Sequence, residues 1–295
     1  MSRAMTSPLF DDEFLRRLEA LKLAFRRRAA TEPEGSVLTP LRGQSLEFQE
    51  HRAYVPGDEF RHIDWNLAGR FDTLFVKQFS REEGRLVCLV VDQSASMGHG
   101  DPPKLGTALR AAAALGVLAL AGAATVRVFR TGDGAPGSPF RGEGMLGALL
   151  DELSRIVAGG PGSPAVALQA VRRELSGSST VILLSDLWDD EGLEAAIRDL
   201  AGMKCEQAVL RILAPEEFAP SLAGKVALLD SETGRRHRLY IGDEERAAYR
   251  ALLAEDDGRW KRACARYQVP YVSVSSAVPA TELVLVLLRE AGVVR

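Results

Sequence analysis

The sequence predicts an α/β protein, a doubly wound and mostly parallel sheet with helices on both faces, an N-terminal extension before it and a β-hairpin inserted within it. Three observations carry this reading. The runs RLVCLVVD, TVRVF, TVILLSD, AVLRIL and VPYVSVSS are nearly continuous in apolar residues, as strands covered on both faces must be. Helical stretches separate these runs, which is the alternation that builds a parallel sheet. The composition, 46% apolar and 26% charged over 295 residues, belongs to a globular chain long enough to bury a large core without disulfides or a structural metal.

The first element is a helix over Pro8 to Arg28, where Phe10, Phe14, Leu18, Leu21 and Phe25 recur at helical spacing. Ser7 and Pro8 suit its start. Asp11, Asp12 and Glu13 sit at its positive end and Arg26, Arg27 and Arg28 at its negative end. That placement explains the Arg triplet better than a nucleic-acid patch does. Residues 31–84 hold short aromatic-rich runs with no sustained helical period, and Val55-Pro56-Gly57-Asp58 has the Pro and Gly of a type II turn. Short strands are expected, with Trp65, Phe71, Phe75 and Phe79 packed on the main domain. Residues 1–84 thus form the extension and residues 85–295 the α/β domain.

Within that domain helices are expected at Lys104–Gly122, Gly144–Val157, Ala165–Leu175, Glu191–Met203, Glu244–Tyr267 and Ala280–Ala291. The stretch Ala111 to Val126 is uncharged and rich in Ala. It is short of the roughly 20 apolar positions of a membrane span and fits a buried helix running into a strand. Residues 225–241 read as two strands around Ser231-Glu232-Thr233-Gly234, the inserted hairpin.

Charge and cysteine usage narrow the function. Lys and Arg number 37 against 40 Asp and Glu, a net charge of −3, so no electrostatic case exists for a nucleic-acid partner or a membrane surface. Three separated cysteines, Cys88, Cys205 and Cys264, form neither a disulfide framework nor a zinc motif. With no apolar leader and no integral membrane segment expected, the reading is a cytoplasmic protein.

In a doubly wound sheet ligands bind beyond the carboxyl ends of the strands. The first apolar run ends in Asp92-Gln93-Ser94-Ala95-Ser96, whose carboxylate and two hydroxyls alternate and so can converge. VILLSD supplies Asp186 at a second strand end, and Ser163 precedes a helix between the two. Oxygen donors of this kind suit a hard divalent cation, Mg²⁺ or else Mn²⁺ or Ca²⁺, which would also relieve the repulsion between two desolvated carboxylates. Each residue taken alone reads more readily as a cap or an ordinary loop residue; the D-x-S-x-S spacing after a buried strand, with a matching Asp at a second strand end, reverses that preference in favour of the metal. Phosphate-binding loops and nucleophile elbows are absent. His99 lies near the loop without an evident orienting partner, so no catalytic residue is assigned.

The loop of Asp92, Ser94 and Ser96, with Asp186 and Ser163, resembles the metal-ion-dependent adhesion site of von Willebrand factor A domains. The stretch LEFQEHRAYVPGDEFRHIDWNLAGRFDTLFVKQF and Asp230-x-Glu232-Thr233-Gly234 are similar to the signature of the domain-of-unknown-function family 58. The resemblance implies a von Willebrand factor A-like sheet that works with MoxR-type AAA+ ATPases in protein maturation or chaperone systems. It implies that Asp92, Ser94 and Ser96 bind Mg²⁺, that Asp186 orients it, often through water, and that Ser163 stands where the adhesion site usually has Thr. The open coordination position then takes a carboxylate from a partner protein, making the expected function a non-enzymatic interaction module. The alternative is a metal-dependent hydrolase built on the same oxygens.

Overall fold

The computed structural model describes residues 9–31, 46–55, 65–69, 74–81, 85–132, 136–159, 162–175, 179–188, 192–203, 205–231 and 234–290. Helix α1 spans Asp12–Thr31. Asp11 caps it: its Oδ1 accepts the Phe14 amide at 2.7 Å, satisfying one of the donors a helix start leaves open. The expected pair Ser7 and Pro8 lies outside the described residues, and the helix begins four residues later than the reading from Pro8. Its apolar stripe behaves as the spacing requires, with Phe10, Phe14, Leu18 and Phe25 all buried.

Strand β1 (Leu46–Ala53), the short helix α2 (Trp65–Ala68) and strand β2 (Phe75–Arg81) follow. The two strands form an antiparallel pair with an irregularity between Phe48 and Glu50. The turn at Pro56-Gly57-Asp58 and Phe71 fall outside the described residues, as does the side chain of Phe79. Trp65 corrects an expectation: it is 66% exposed. It opens a helix of only four residues, too short to present an apolar face. Phe75 is half-buried, and the buried residue of β2 is its neighbour Val76.

The main sheet is built from β3 (Leu86–Val91), α3 (Lys104–Ala121), β4 (Thr125–Arg130), β5 (Phe140–Arg141), α4 (Leu146–Ser154), α5 (Pro164–Glu174), β6 (Ser179–Ser185), α6 (Leu193–Ala201), β7 (Cys205–Leu213), α7 (Pro215–Phe218), β8 (Gly224–Leu229), β9 (Arg236–Ile241), α8 (Asp243–Arg266), β10 (Tyr271–Ser275) and α9 (Ala280–Glu290). Its strand order is β10-β7-β6-β3-β4-β5. Five strands run parallel, and β5, a two-residue strand absent from the sequence reading, pairs antiparallel at the edge. The six longer helices fall within a few residues of their expected spans. The hairpin is present as β8 and β9, a separate antiparallel pair.

Strand β3 shows why these runs carry no polar alternation. Val87, Leu89 and Val91 enter the core on one face, with α1, α3, α4 and α9, while Cys88 and Val90 enter the other, with α5, α6 and α8. Both faces of each central strand are covered, so both sets of alternating residues must be apolar. Helix α3 explains the Ala-rich stretch. By length and composition it is long and apolar enough to cross a membrane, yet it lies buried in the core. Small side chains let its neighbours approach: a Cβ on Gly116 would overlap a methyl of Leu149 on α4.

Because α1 lends its apolar face to this core, Leu18→Ala is expected to cost about 2–5 kcal/mol of unfolding free energy, measurable by urea titration. A loss under about 0.5 kcal/mol, the range of surface substitutions, would mean that α1 is not part of the cooperative unit.

Candidate metal centre

Strands β3 and β6 are parallel neighbours at the centre of the sheet. From β3 the chain passes through α3 to β4 on one side; β6, reached through α5, lies on the other. The loops leaving the two strands therefore part, and a crevice opens at their carboxyl ends. Asp92 follows β3 directly and is 2% exposed; Asp186 follows β6 directly and is 1% exposed.

The Asp92 carboxylate is held from three sides. Its Oδ1 accepts the Ser94 amide at 2.9 Å and the Thr131 hydroxyl at 3.0 Å. Its Oδ2 accepts the Ser185 hydroxyl at 2.5 Å, and Ser185 in turn accepts the Leu187 amide at 3.0 Å. Thr131 Oγ1 also accepts the Gln93 amide, tying the end of β4 to the loop. Gly162 leaves the room for this arrangement, since a Cβ there would overlap Thr131 Oγ1 and crowd Asp92 Oδ1.

The hydroxyls are not used as caps. Ser94 precedes a 3-10 turn at Ala95–Gly98 but makes no side-chain capping bond; its Oγ instead lies 3.0 Å from Ser96 Oγ. Ser163 precedes α5, likewise without a side-chain capping bond. Asp186 is no cap either, because α6 begins only at Leu193, behind Gly192. Ser94, Ser96 and Ser163 all line one cleft of about 990 Å³, together with His99, Trp188 and residues of the β8–β9 hairpin.

Asp186 stands behind this cleft, and its partner was not evident from sequence. Lys104, the first residue of α3 and fully buried, donates to Asp186 Oδ2 at 2.7 Å and to Glu217 Oε1 at 2.8 Å. Asp186 Oδ1 accepts the Trp188 amide at 3.3 Å. The Trp188 indole donates to the same Glu217 oxygen at 3.1 Å, and Glu217 Oε2 accepts the Ala214 amide. Beneath the loop, the fully buried Arg211 donates to the Asp186 carbonyl at 3.0 Å and to Asp256 at 2.6 Å, and its guanidinium lies under the Trp188 ring. A lysine opening the mostly apolar helix α3 is the sequence's sign of this network. Glu217, Thr131 and Ser185 gave none.

Electrostatics follow from this geometry. Burial, then the neighbouring charge of Asp186, push the Asp92 carboxyl above its ordinary range, while the Ser185 and Ser94 hydrogen bonds oppose the shift. Among the described residues Lys104 pairs with both Asp186 and Glu217, and Asp92 and Asp230 add carboxylates to the crevice and its cleft. Among the described residues no three His, Cys, Asp or Glu side chains are grouped to hold a metal. The donors presented are one carboxylate and three hydroxyls, all hard oxygens, a set that fits Mg²⁺ by donor chemistry.

Two substitutions test the charge arrangement. Lys104→Met leaves the buried Asp186 and the half-buried Glu217 without their counter-ion and is expected to cost about 3–5 kcal/mol in urea unfolding at neutral pH. A near-neutral result would show that Lys104 does not hold the pair. Asp92→Asn is expected to raise the thermal midpoint in EDTA. A carboxyl with a raised native pKa binds protons more tightly when folded, so the metal-free protein loses stability as pH rises through that window; the neutral amide escapes the loss. A lower midpoint for Asp92→Asn in EDTA would contradict this.

Comparison with known proteins places the chain among relatives without an assigned role. Uncharacterized proteins of Mycobacterium bovis and Mycobacterium tuberculosis are each 29% identical to it over 238 residues, an alignment covering 76% of this chain and 73% of theirs. Among solved structures, a conserved hypothetical protein, BatB, from Bacteroides thetaiotaomicron aligns at 15% identity with a TM-score of 0.41, covering 71% of this chain and 98% of that one. An aerotolerance-related membrane protein from Bacteroides fragilis, carrying multiple mutations to serine, aligns at 14% identity and a TM-score of 0.41, covering 71% and 99%. The family described as protein of unknown function DUF58 matches residues 50–259, a span that takes in β3, β6 and every crevice residue named above. The chain belongs to the DUF58 family.

Proposed function

We propose that this protein is a von Willebrand factor A-like interaction module whose crevice, carrying a divalent cation, binds an acidic residue of a partner protein. The observation that carries the reading is that the hydroxyls of Ser94 and Ser163, which make no side-chain capping bonds, line one cleft with that of Ser96 beside the buried Asp92 and Asp186. Asp92, Ser94, Ser96 and Ser163 would hold the ion. Asp186, already fixed by Lys104 and the Trp188 amide, would act from behind through water. When bound, Mg²⁺ (or Mn²⁺ or Ca²⁺) supplies an electropositive position open to a carboxylate oxygen.

The chain's own residues do the rest. Thr131 and Ser185 keep Asp92 aimed at the crevice, and Lys104 keeps Asp186 from repelling it unopposed. His99 is exposed on the cleft with no side-chain hydrogen bond among the described residues. We read His99 as part of the cleft wall and assign it no catalytic role; hydrolysis on the same oxygens is the alternative reading. The setting we propose is cytoplasmic, with a MoxR-type AAA+ ATPase as the working partner in protein maturation or chaperone activity.

The test is an affinity pull-down with wild type and Asp92→Ala, each in Mg²⁺ and in EDTA. An AAA+ ATPase retained by wild type in Mg²⁺ alone is the expected result. The same proteins retained under all four conditions would overturn the reading.

A further inference from the structure

The hairpin of β8 and β9 is inserted in the α/β alternation, and it stands beside the crevice. Leu229, Asp230 and Ser231 at its tip line the same cleft as Ser94, Ser96 and Ser163. Its register pairs Lys225 with Tyr240, Ala227 with Arg238 and Leu229 with Arg236. Directly paired residues, and residues two apart along a strand, share one face of a ribbon. Lys225, Leu229, Arg236, Arg238 and Tyr240 therefore lie on a single face, and Leu229 joins that face to the cleft.

This face is open and cationic. Leu229 is 62% and Tyr240 64% exposed, and the three basic residues are exposed as well. Lys225, Arg236 and Arg238 form no ion pair among the described residues, whereas the arginines that surround the core are mostly paired with Asp or Glu. In a chain of net charge −3, three cations with no counter-ion among the described residues, around two exposed apolar side chains, make a local complement to negative charge. Each hairpin strand is six residues long, about 20 Å, and Arg236 and Arg238 project from it about 7 Å apart. An extended peptide repeats its side chains at the same interval.

We propose that the hairpin face is a second recognition surface that reads an extended acidic segment of the partner protein, with acidic residues at alternate positions. One carboxylate of the segment enters the crevice, and those beyond it lie against Arg236 and Arg238, with apolar stems over Leu229 and Tyr240. This rests on the adhesion-site reading for the crevice end of the segment and on the hairpin alone for the remainder. The crevice supplies an anchor that any carboxylate can use; the hairpin supplies the discrimination.

Fluorescence anisotropy tests this with a fluorescein-labelled peptide in which Glu alternates with Ser, and a control with Gln in place of Glu. Wild type in Mg²⁺ is expected to bind the Glu peptide and not the Gln peptide. Arg236→Glu with Arg238→Glu is expected to weaken binding about tenfold, in EDTA as well as in Mg²⁺. Arg236→Ala with Arg238→Ala should fall between, and an unchanged thermal midpoint for either variant shows that the fold is intact. Unchanged affinity on charge reversal, equal binding of the Gln peptide, no binding of the Glu peptide, or tighter binding of an oligothymidylate of equal charge would each overturn the proposal. If EDTA has no effect while charge reversal still costs tenfold, the hairpin surface stands and the metal reading of the crevice falls.

Discussion

Two carboxylates buried at the ends of adjacent parallel strands set the terms for everything around them. Asp92 and Asp186 are nearly inaccessible to water, where an unpaired charge costs several kcal/mol. The fold answers each differently. Asp186 pairs with the Lys104 ammonium, which it shares with Glu217. Asp92 receives, among the described residues, hydrogen bonds from the Ser94 amide and the hydroxyls of Thr131 and Ser185. That asymmetry leaves one strand end beside a cation and the other held by neutral donors, facing a cleft lined with hydroxyls. Replacing buried charged groups by apolar side chains of similar volume is often neutral or stabilising, so packing alone gives little reason to keep Asp92 there.

The same constraint organises the neighbouring segments. Lys104 reaches Asp186 only because α3 starts directly above the crevice, and α3 can lie there because Ala and Gly residues let α1, α4 and α9 close around it. Glu217, on the short helix α7 after β7, completes the ammonium's surroundings and also receives the Trp188 indole. Trp188 in turn covers Arg211, which ties the β6 loop to Asp256 on α8. Packing of the long helices and the charge state of the crevice are thus parts of one network, and the inserted hairpin joins it at the cleft.

Much of this was legible in the sequence, for identifiable reasons. Strands covered on both faces carry continuous apolar runs, so β3, β4, β6, β7 and β10 declared themselves, and Asp92 and Asp186 stood out because each follows such a run. Ser94 and Ser96 stood out by their alternation with Asp92, although it is a 3-10 turn over Ala95–Gly98, not an extended loop, that brings their hydroxyls within 3.0 Å of each other. What was missed is non-local. Lys104 and Glu217 are 113 residues apart, and Thr131 meets Asp92 across 39 residues; no local period encodes such pairings. The two-residue strand β5 carries too little pattern to register. Trp65 was read as packed because it is aromatic, but a four-residue helix offers no face for it to share.

A cation site formed by the hydroxyls of Ser94 and Ser96, with Asp92 beside them, is tested most directly by the anomalous diffraction signal of a crystal grown with Mn²⁺. One peak is expected in the crevice, about 2.1 Å from the hydroxyl oxygens of Ser94 and Ser96, lost when the crystal is washed with EDTA. A crevice without a peak at saturating Mn²⁺, or a peak bound only by residues outside it, would contradict a cation site there.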